Sequence, residues 1–231
     1  MAKHILITGA SRGIGYETAK YLADQNCSIT AIARSNDSLN QLRAYAPEQI
    51  FALPLDITEG NAVDRIKEHL ENRQLSIDGF IHNAGLLINK PFLEQTDEDW
   101  EQQLSVNLTA PIRLTRSMIS MFNENSHIVN IGSMGGFQGS EKFPGLSAYS
   151  TAKGALAILT ECLATELAGY KIKVNCLCLG AVQTEMLETA FPGIEAPVNS
   201  KEMGRYVGDF TIKAGTFMNG KVLPVALNNP K

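Results

Sequence analysis

The chain has 231 residues, long for one compact domain and short for two, and 44% of them are hydrophobic, enough for one sizeable core. Twenty basic residues against 24 acidic ones leave a net charge of -4, and no Lys/Arg block exists to track a phosphate backbone, which argues against nucleic acid as a partner. No stretch offers the roughly 18 apolar residues that a membrane span needs, and Met1-Ala2-Lys3-His4 leads into a short apolar run without a secretion signal, so a cytoplasmic protein is expected.

Short apolar runs occupy residues 5–8, 28–33, 50–55, 79–82, 127–131, 173–179 and 221–225. Between them, segments such as 16–25, 61–71 and 152–167 repeat their apolar residues every three or four positions. Strands alternating with helices imply an α/β fold: a doubly wound, mostly parallel sheet with helices on both faces, read as one domain over residues 1–231. The first strand runs into Thr8-Gly9-Ala10-Ser11-Arg12-Gly13-Ile14-Gly15. In a doubly wound sheet this first β-α turn is where a dinucleotide pyrophosphate meets a helix N-terminus. Gly9, Gly13 and Gly15 let the backbone turn tightly and approach the phosphates.

The second strand ends in Ala33-Arg34-Ser35, with no carboxylate to hydrogen-bond the ribose 2′-hydroxyl of NAD. Arg34, with Arg12 from the glycine turn, brackets the expected position of a 2′-phosphate, so NADP(H) is the preferred cofactor and NAD(H) the alternative. Asp56, read from its neighbours, lies just before a helix capped by Thr58. Asn83-Ala84-Gly85 follows the fourth strand. Asn107 falls inside a helix between Trp100 and Met121, where the residues alone read as a solvated surface asparagine. Ser133 follows the strand at 127–131, on the same rim as the glycine turn, where its hydroxyl can polarise a carbonyl. Tyr149 and Lys153 stand one helical turn apart on one face, and an ammonium there is expected to bring the phenol below its usual value of about 10. Cys27, Cys162, Cys176 and Cys178 have no zinc-ligand spacing and read as reduced core thiols, so no metal site is expected. Residues 184–204, holding Pro192, Gly193 and Pro197, read as a short lid on the substrate side.

The glycine turn, Asn83-Ala84-Gly85, Asn107, Ile131-Gly132-Ser133 and Tyr149-Ser150-Thr151-Ala152-Lys153 occur in the order of the short-chain dehydrogenase/reductase family, which the chain resembles over essentially its whole length. The resemblance implies a Rossmann-like domain and hydride transfer between a nicotinamide and a carbonyl or alcohol carbon of a small substrate. Within it, Tyr149 acts as acid/base, Ser133 binds the carbonyl oxygen, and Lys153 tunes Tyr149 and holds the nicotinamide ribose. Asn107 is a kinking residue whose backbone holds a water that relays protons from Lys153, and Asp56 hydrogen-bonds the adenine amino group with help from the Ile57 backbone. The implied cofactor contacts are Thr8, Gly9, Ser11, Arg12, Gly13, Ile14, Gly15, Arg34, Ser35, Asp56, Ile57, Asn83, Ala84, Gly85, Tyr149, Lys153, Gly180, Val182 and Thr184. A homodimer or homotetramer is implied as well. Two other functions stay open: an NAD-linked alcohol dehydrogenase of the same fold, and a non-catalytic NADP(H) sensor.

Four departures stand out. Gly132 replaces the family's usual second serine, with no consequence expected. Leu179-Gly180 replaces Pro-Gly. Ser133 and Tyr149 are 16 positions apart, a few more than usual, and Phe137, Phe143 and Leu146 in the longer connection either wall a substrate pocket or pack the loop. The last strand ends in Ala226-Leu227-Asn228-Asn229 instead of Asp-Gly-Gly.

Overall fold

The computed structural model describes residues 2–227. Its sheet comprises β1 (His4–Thr8), β2 (Ser28–Ala33), β3 (Ile50–Pro54), β4 (Ile77–His82), β5 (Phe122–Ser133), β6 (Lys173–Leu179) and β9 (Val222–Val225), in the order β3-β2-β1-β4-β5-β6-β9 with every pair parallel. A sheet of this kind is covered on both faces. Along β1 and β2, side chains alternate between two cores: Ile5, Ile7, Ile29 and Ala31 face one, Leu6 and Ile32 the other. The first core is closed by α1 (Gly13–Asp24), α2 (Asn36–Tyr45) and α8 (Ser200–Lys213), the second by α3 (Ala62–Glu71) and α5 (Ala110–Met118).

The strand order reverses direction between β1 and β4, and a crevice opens there beyond the carboxyl ends of the strands. The glycine turn follows β1, and Asn83-Ala84-Gly85 follows β4, so both line that crevice. α4 (Asp97–Leu104) and α5 are joined by one π-helical turn, Ser105–Thr109, and α6 (Ser147–Glu166) packs on β5 and β6.

The irregular stretch expected to reach residue 204 is shorter. β7 (Val182–Gln183) pairs with β8 (Val198–Asn199), α7 (Glu185–Ala190) lies between them, and from Ser200 the chain is helical. Asn199 starts α8 with a capping box: its side chain accepts from Glu202 N at 2.9 Å while Glu202 accepts from Asn199 N at 3.3 Å. Residues 200–204 therefore belong to the scaffold, because Gly204 and Gly208 let α8 seat closely on α1. A Cβ at Gly204 would stand 2.8 Å from both Glu17 Cβ and Thr18 N. No helix among the described residues is long and apolar enough to cross a membrane. The C-terminal departure at Asn228 and Asn229 lies outside the described residues.

Gly204→Ala forces backbone apart where α1 and α8 touch, and is expected to cost about 1–3 kcal/mol, read as a lower urea midpoint. An unchanged midpoint would contradict this close approach.

Candidate active site

The glycine turn is tied to β4 by a clamp. Asn83 donates from Nδ2 to the carbonyls of Thr8 and Gly9, both at 3.0 Å, and Thr8 Oγ1 accepts from the backbone N–H groups of Asn83 and Ala84, both at 3.1 Å. Two of the three glycines make room for this clamp. A Cβ on Gly9, whose φ is +70°, would stand 2.7 Å from Ala84 Cα, and one on Gly15 would stand 2.4 Å from Asn83 Nδ2. Only Gly13 of the three, with φ +58°, faces the crevice, where Thr184 is the neighbour at 3.4 Å. Packing alone thus demands glycine at Gly9 and Gly15, whereas at Gly13 the positive φ and the open crevice do.

Arg12 is the N-cap of α1, makes no side-chain cap bond, and no acidic residue lies in the first turn. The N–H groups of that turn, around Ile14, have no side-chain acceptor and point a positive dipole end at the crevice. A pyrophosphate fits these groups, and Ser11 sits partly buried beside them.

Arg34 and Ser35 are exposed at the end of β2. Ser35 also caps α2, accepting from Ser38 N at 3.4 Å. Asp56 Oδ1 accepts from Thr58 N at 2.9 Å and Thr58 Oγ1 at 2.7 Å. Burial acts to raise its pKa, but these two bonds and the nearby Arg34 outweigh it and hold the carboxyl below its ordinary value. Thr58 caps no helix, because α3 begins only at Ala62 after a turn; this removes the capping alternative for that segment. The Ile57 side chain is buried, and its carbonyl accepts from Arg113 at 2.7 Å. Arg12 pairs with Glu185, the first residue of α7, at 2.5 Å. Sequence reading did not single out Glu185, since an acidic residue in a helix's first turn is commonplace.

Ser133 closes β5 and accepts from Gly135 N at 3.1 Å. α6 begins at Ser147, so Tyr149 stands in its first turn and Lys153 in its second. Lys153 is buried and donates to the Ile131 carbonyl at 2.8 Å, with Nζ 5.8 Å from the centre of the Tyr149 ring. Tyr149 is half-buried and its surroundings are dense: burial pushes the phenol up to about 12, and the nearby Ser133 hydroxyl pulls the other way. This corrects the expectation of a phenol acidified by Lys153. The ammonium is committed to the Ile131 carbonyl, and loss of solvation is what sets the direction of the phenol's shift. Lys153 itself is lowered to about 8 by burial, opposed by Cys176 and Cys178.

Asn107 is fully buried in the π-helical turn, which removes the solvated alternative. It donates to the Leu86 carbonyl at 2.7 Å and the Gln103 carbonyl at 2.8 Å, and accepts from Leu86 N at 3.2 Å. It thereby holds the loop after β4 against Lys153: a Cβ on Gly85 would stand 3.2 Å from Asn107 Oδ1 and 3.7 Å from Lys153 Nζ.

Gly132 does have a consequence. Cys176 and Cys178 are buried side by side, their sulfurs 3.9 Å apart, and a Cβ on Gly132 would stand 2.7 Å and 3.0 Å from them. The thiols fill the space a serine would need. On the far rim, Gly180 N donates to Val225 O at 2.9 Å, anchoring the loop that lacks proline. Val182 is buried in β7, and Thr184 caps α7 by accepting from Leu187 N at 3.3 Å. Phe143 and Leu146 line a cavity of about 510 Å³ together with Phe92, Ser147, Ser150 and Thr151. Gly135 and Gly136, just after Ser133, also line it. Phe137 packs instead against Met134, Ala157, Cys176 and Cys178.

A doubly wound parallel sheet with its glycine turn at the switch point, and Ser133, Tyr149 and Lys153 on the same rim, defines a dinucleotide-fold oxidoreductase. The family described as short chain dehydrogenase matches residues 3–195, and the chain belongs to it. A 3-oxoacyl-[acyl-carrier-protein] reductase from Haemophilus influenzae is 30% identical over 80% of this chain and 76% of its own length. A fatty acyl-CoA reductase from Acinetobacter baylyi is also 30% identical over 80% of this chain, but the match spans only 64% of that relative. The fold is shared with a 3-ketoacyl-(acyl-carrier-protein) reductase from Brucella melitensis complexed with NADH, at a TM-score of 0.87 and 24% identity over 96% of both chains.

Two outcomes follow. Gly132→Ser is expected to cost about 1–3 kcal/mol through overlap with the two sulfurs, and adding Cys176→Ala should restore much of the lost urea midpoint; an additive double variant would refute the shared-space account. For Lys153, the folded value of about 8 lies below an unfolded value of about 10.4, so between them the unfolded chain binds the extra proton. Stability owed to Lys153 therefore rises with pH across that window. Relative to Lys153→Met, the native protein should gain stability from pH 8 to pH 10 in urea unfolding, and a constant difference would argue against the shift.

Proposed function

We propose that this protein is an NADP(H)-dependent oxidoreductase that moves a hydride between nicotinamide and a carbonyl or alcohol carbon of a small substrate, with Tyr149 as general acid/base. The observation that carries the proposal is the gathering of Ser133, Tyr149 and the buried Lys153, whose Nζ lies 5.8 Å from the Tyr149 ring centre, on the same rim as the uncapped α1 N-terminus. Reductase relatives and the NADH of one structural neighbour support a nicotinamide cofactor. The missing carboxylate at the end of β2 and the exposed Arg34 favour a 2′-phosphate.

In this reading the N–H groups from Gly13 to Gly15, with Ser11 and Thr184, take the pyrophosphate. Arg34 and Ser35 take the 2′-phosphate, Asp56 and Ile57 the adenine, and Asn83 to Gly85 the adenosine ribose. Lys153 and Tyr149 hold the nicotinamide ribose, and Gly180 and Val182 face the carboxamide. The bound nicotinamide supplies or accepts the hydride. The remaining work falls to the chain's own groups. Ser133 Oγ hydrogen-bonds the substrate oxygen and stabilises the charge that develops there. Tyr149, with its phenol up at about 12, is protonated at neutral pH and set to donate to that oxygen, which suits reduction. Lys153, lowered to about 8, remains charged at pH 7 and favours the phenolate left behind. Asn107 positions the backbone that carries a proton-relaying water beside Lys153. Residues 184–199 act on the substrate side, with α7 as the covering element, and the working form is a cytoplasmic homodimer or homotetramer.

With NADPH and a panel of ketones, aldehydes, diketones and 3-oxoacyl thioesters, purified protein should oxidise cofactor with at least one compound. Tyr149→Phe should lower turnover by about a hundredfold or more, while total inactivity of the native protein would favour a cofactor sensor. Arg34→Ala should raise the NADPH KM by about tenfold or more and leave the NADH KM nearly unchanged. Equal effects on both would return the assignment to an NAD-linked dehydrogenase.

A further inference from the structure

α7 spans the mouth of the crevice. Its cap, Thr184, leans on Gly13, with Cγ2 3.4 Å from where a Cβ would stand. Met186 reaches the loop after β4, its Cε 3.7 Å from the corresponding position at Gly85, and the Ala190 carbonyl accepts from Asn89 Nδ2 at 2.8 Å. Among the described residues, the Arg12–Glu185 pair is the one ion pair joining the glycine turn to this helix. Both side chains are more than 60% exposed, so the pair sits in water, where such contacts are weak and readily exchanged. Arg12 is also one of the two arginines argued above to face a 2′-phosphate.

We propose that Glu185 is a cofactor-discriminating residue that acts through Arg12. In the free protein its carboxylate occupies the guanidinium, and a 2′-phosphate must draw Arg12 away from it, which loosens the N-terminal end of α7. A dianionic phosphate presents more charge than a carboxylate and matches the guanidinium fork as well, so the exchange favours the phosphate. A nucleotide without the 2′-phosphate has no such claim on Arg12 and leaves α7 latched. The inference rests on the NADP(H) reading.

The test uses two nucleotide fragments that lack nicotinamide, adenosine 2′,5′-bisphosphate and adenosine 5′-monophosphate, titrated calorimetrically into the full-length protein. Glu185→Gln should tighten the bisphosphate by about two- to fivefold and the monophosphate much less; Glu185→Asp should keep the native ratio. In an Arg12→Ala background the Glu185→Gln effect should vanish, as a double-mutant cycle requires for coupling through Arg12. Hydrogen exchange over residues 185–190 should be faster with the bisphosphate than with the monophosphate in the native protein, and equal for both in Glu185→Gln. If Glu185→Gln shifts both nucleotides alike, or still acts without Arg12, the role given to Glu185 is overturned while the cofactor reading stands. If the native protein binds both fragments equally, the NADP(H) reading itself falls and the latch with it.

Discussion

The clamp between Asn83 and the Thr8–Gly9 backbone decides where everything else in the site can stand. It joins the ends of β1 and β4 at the place where strand order reverses, where ligands bind in open α/β sheets. Its four hydrogen bonds are each worth about 0.5–1.5 kcal/mol net, and they are half-buried, so breaking them would strand polar groups. Gly9 and Gly15 accept the cost of flexible backbone because any side chain there would push Asn83 and Ala84 out of reach.

From that clamp the loop after β4 runs past Gly85 to Leu86, where Asn107 takes it over through three hydrogen bonds from the π-helical turn. The turn is a local disruption of a helix, and disruptions of this type recur at functional sites. Here it turns a buried asparagine toward the loop and sets the wall against which Lys153 is held. Lys153 is anchored by the Ile131 carbonyl and lies beside Gly85. The electrostatic state of the site follows from that packing more than from pairwise attraction. Burial raises the phenol and lowers the amine, so both sit in their proton-bearing forms at pH 7.

Behind the site, the chain trades one polar group for two soft ones. Where a second serine would stand on β5, Gly132 clears space for Cys176 and Cys178 on the adjacent strand. Glycine and thiols have to be read as one unit, since neither fits without the other. The thiols lie near enough to Lys153 to oppose the lowering that burial imposes on its amine.

Alternating apolar runs and the glycine turn determined the doubly wound sheet, the crevice at the end of β1 and the spacing of Tyr149 and Lys153, because these depend on local periodicity and on short-range helix geometry. α2 was less legible: with Leu39 and Leu42 as its buried residues, it carries little periodic signal. Only the tertiary structure decided that Gly9 and Gly15 serve packing, that α8 begins at Ser200, that Arg12 is held by Glu185, and that the Tyr149 phenol lies above its ordinary value. Each of these is set by groups distant in the chain, Glu185 being 173 positions from Arg12. Desolvation and close approach are properties of what surrounds a residue in space, and a linear pattern carries no record of them.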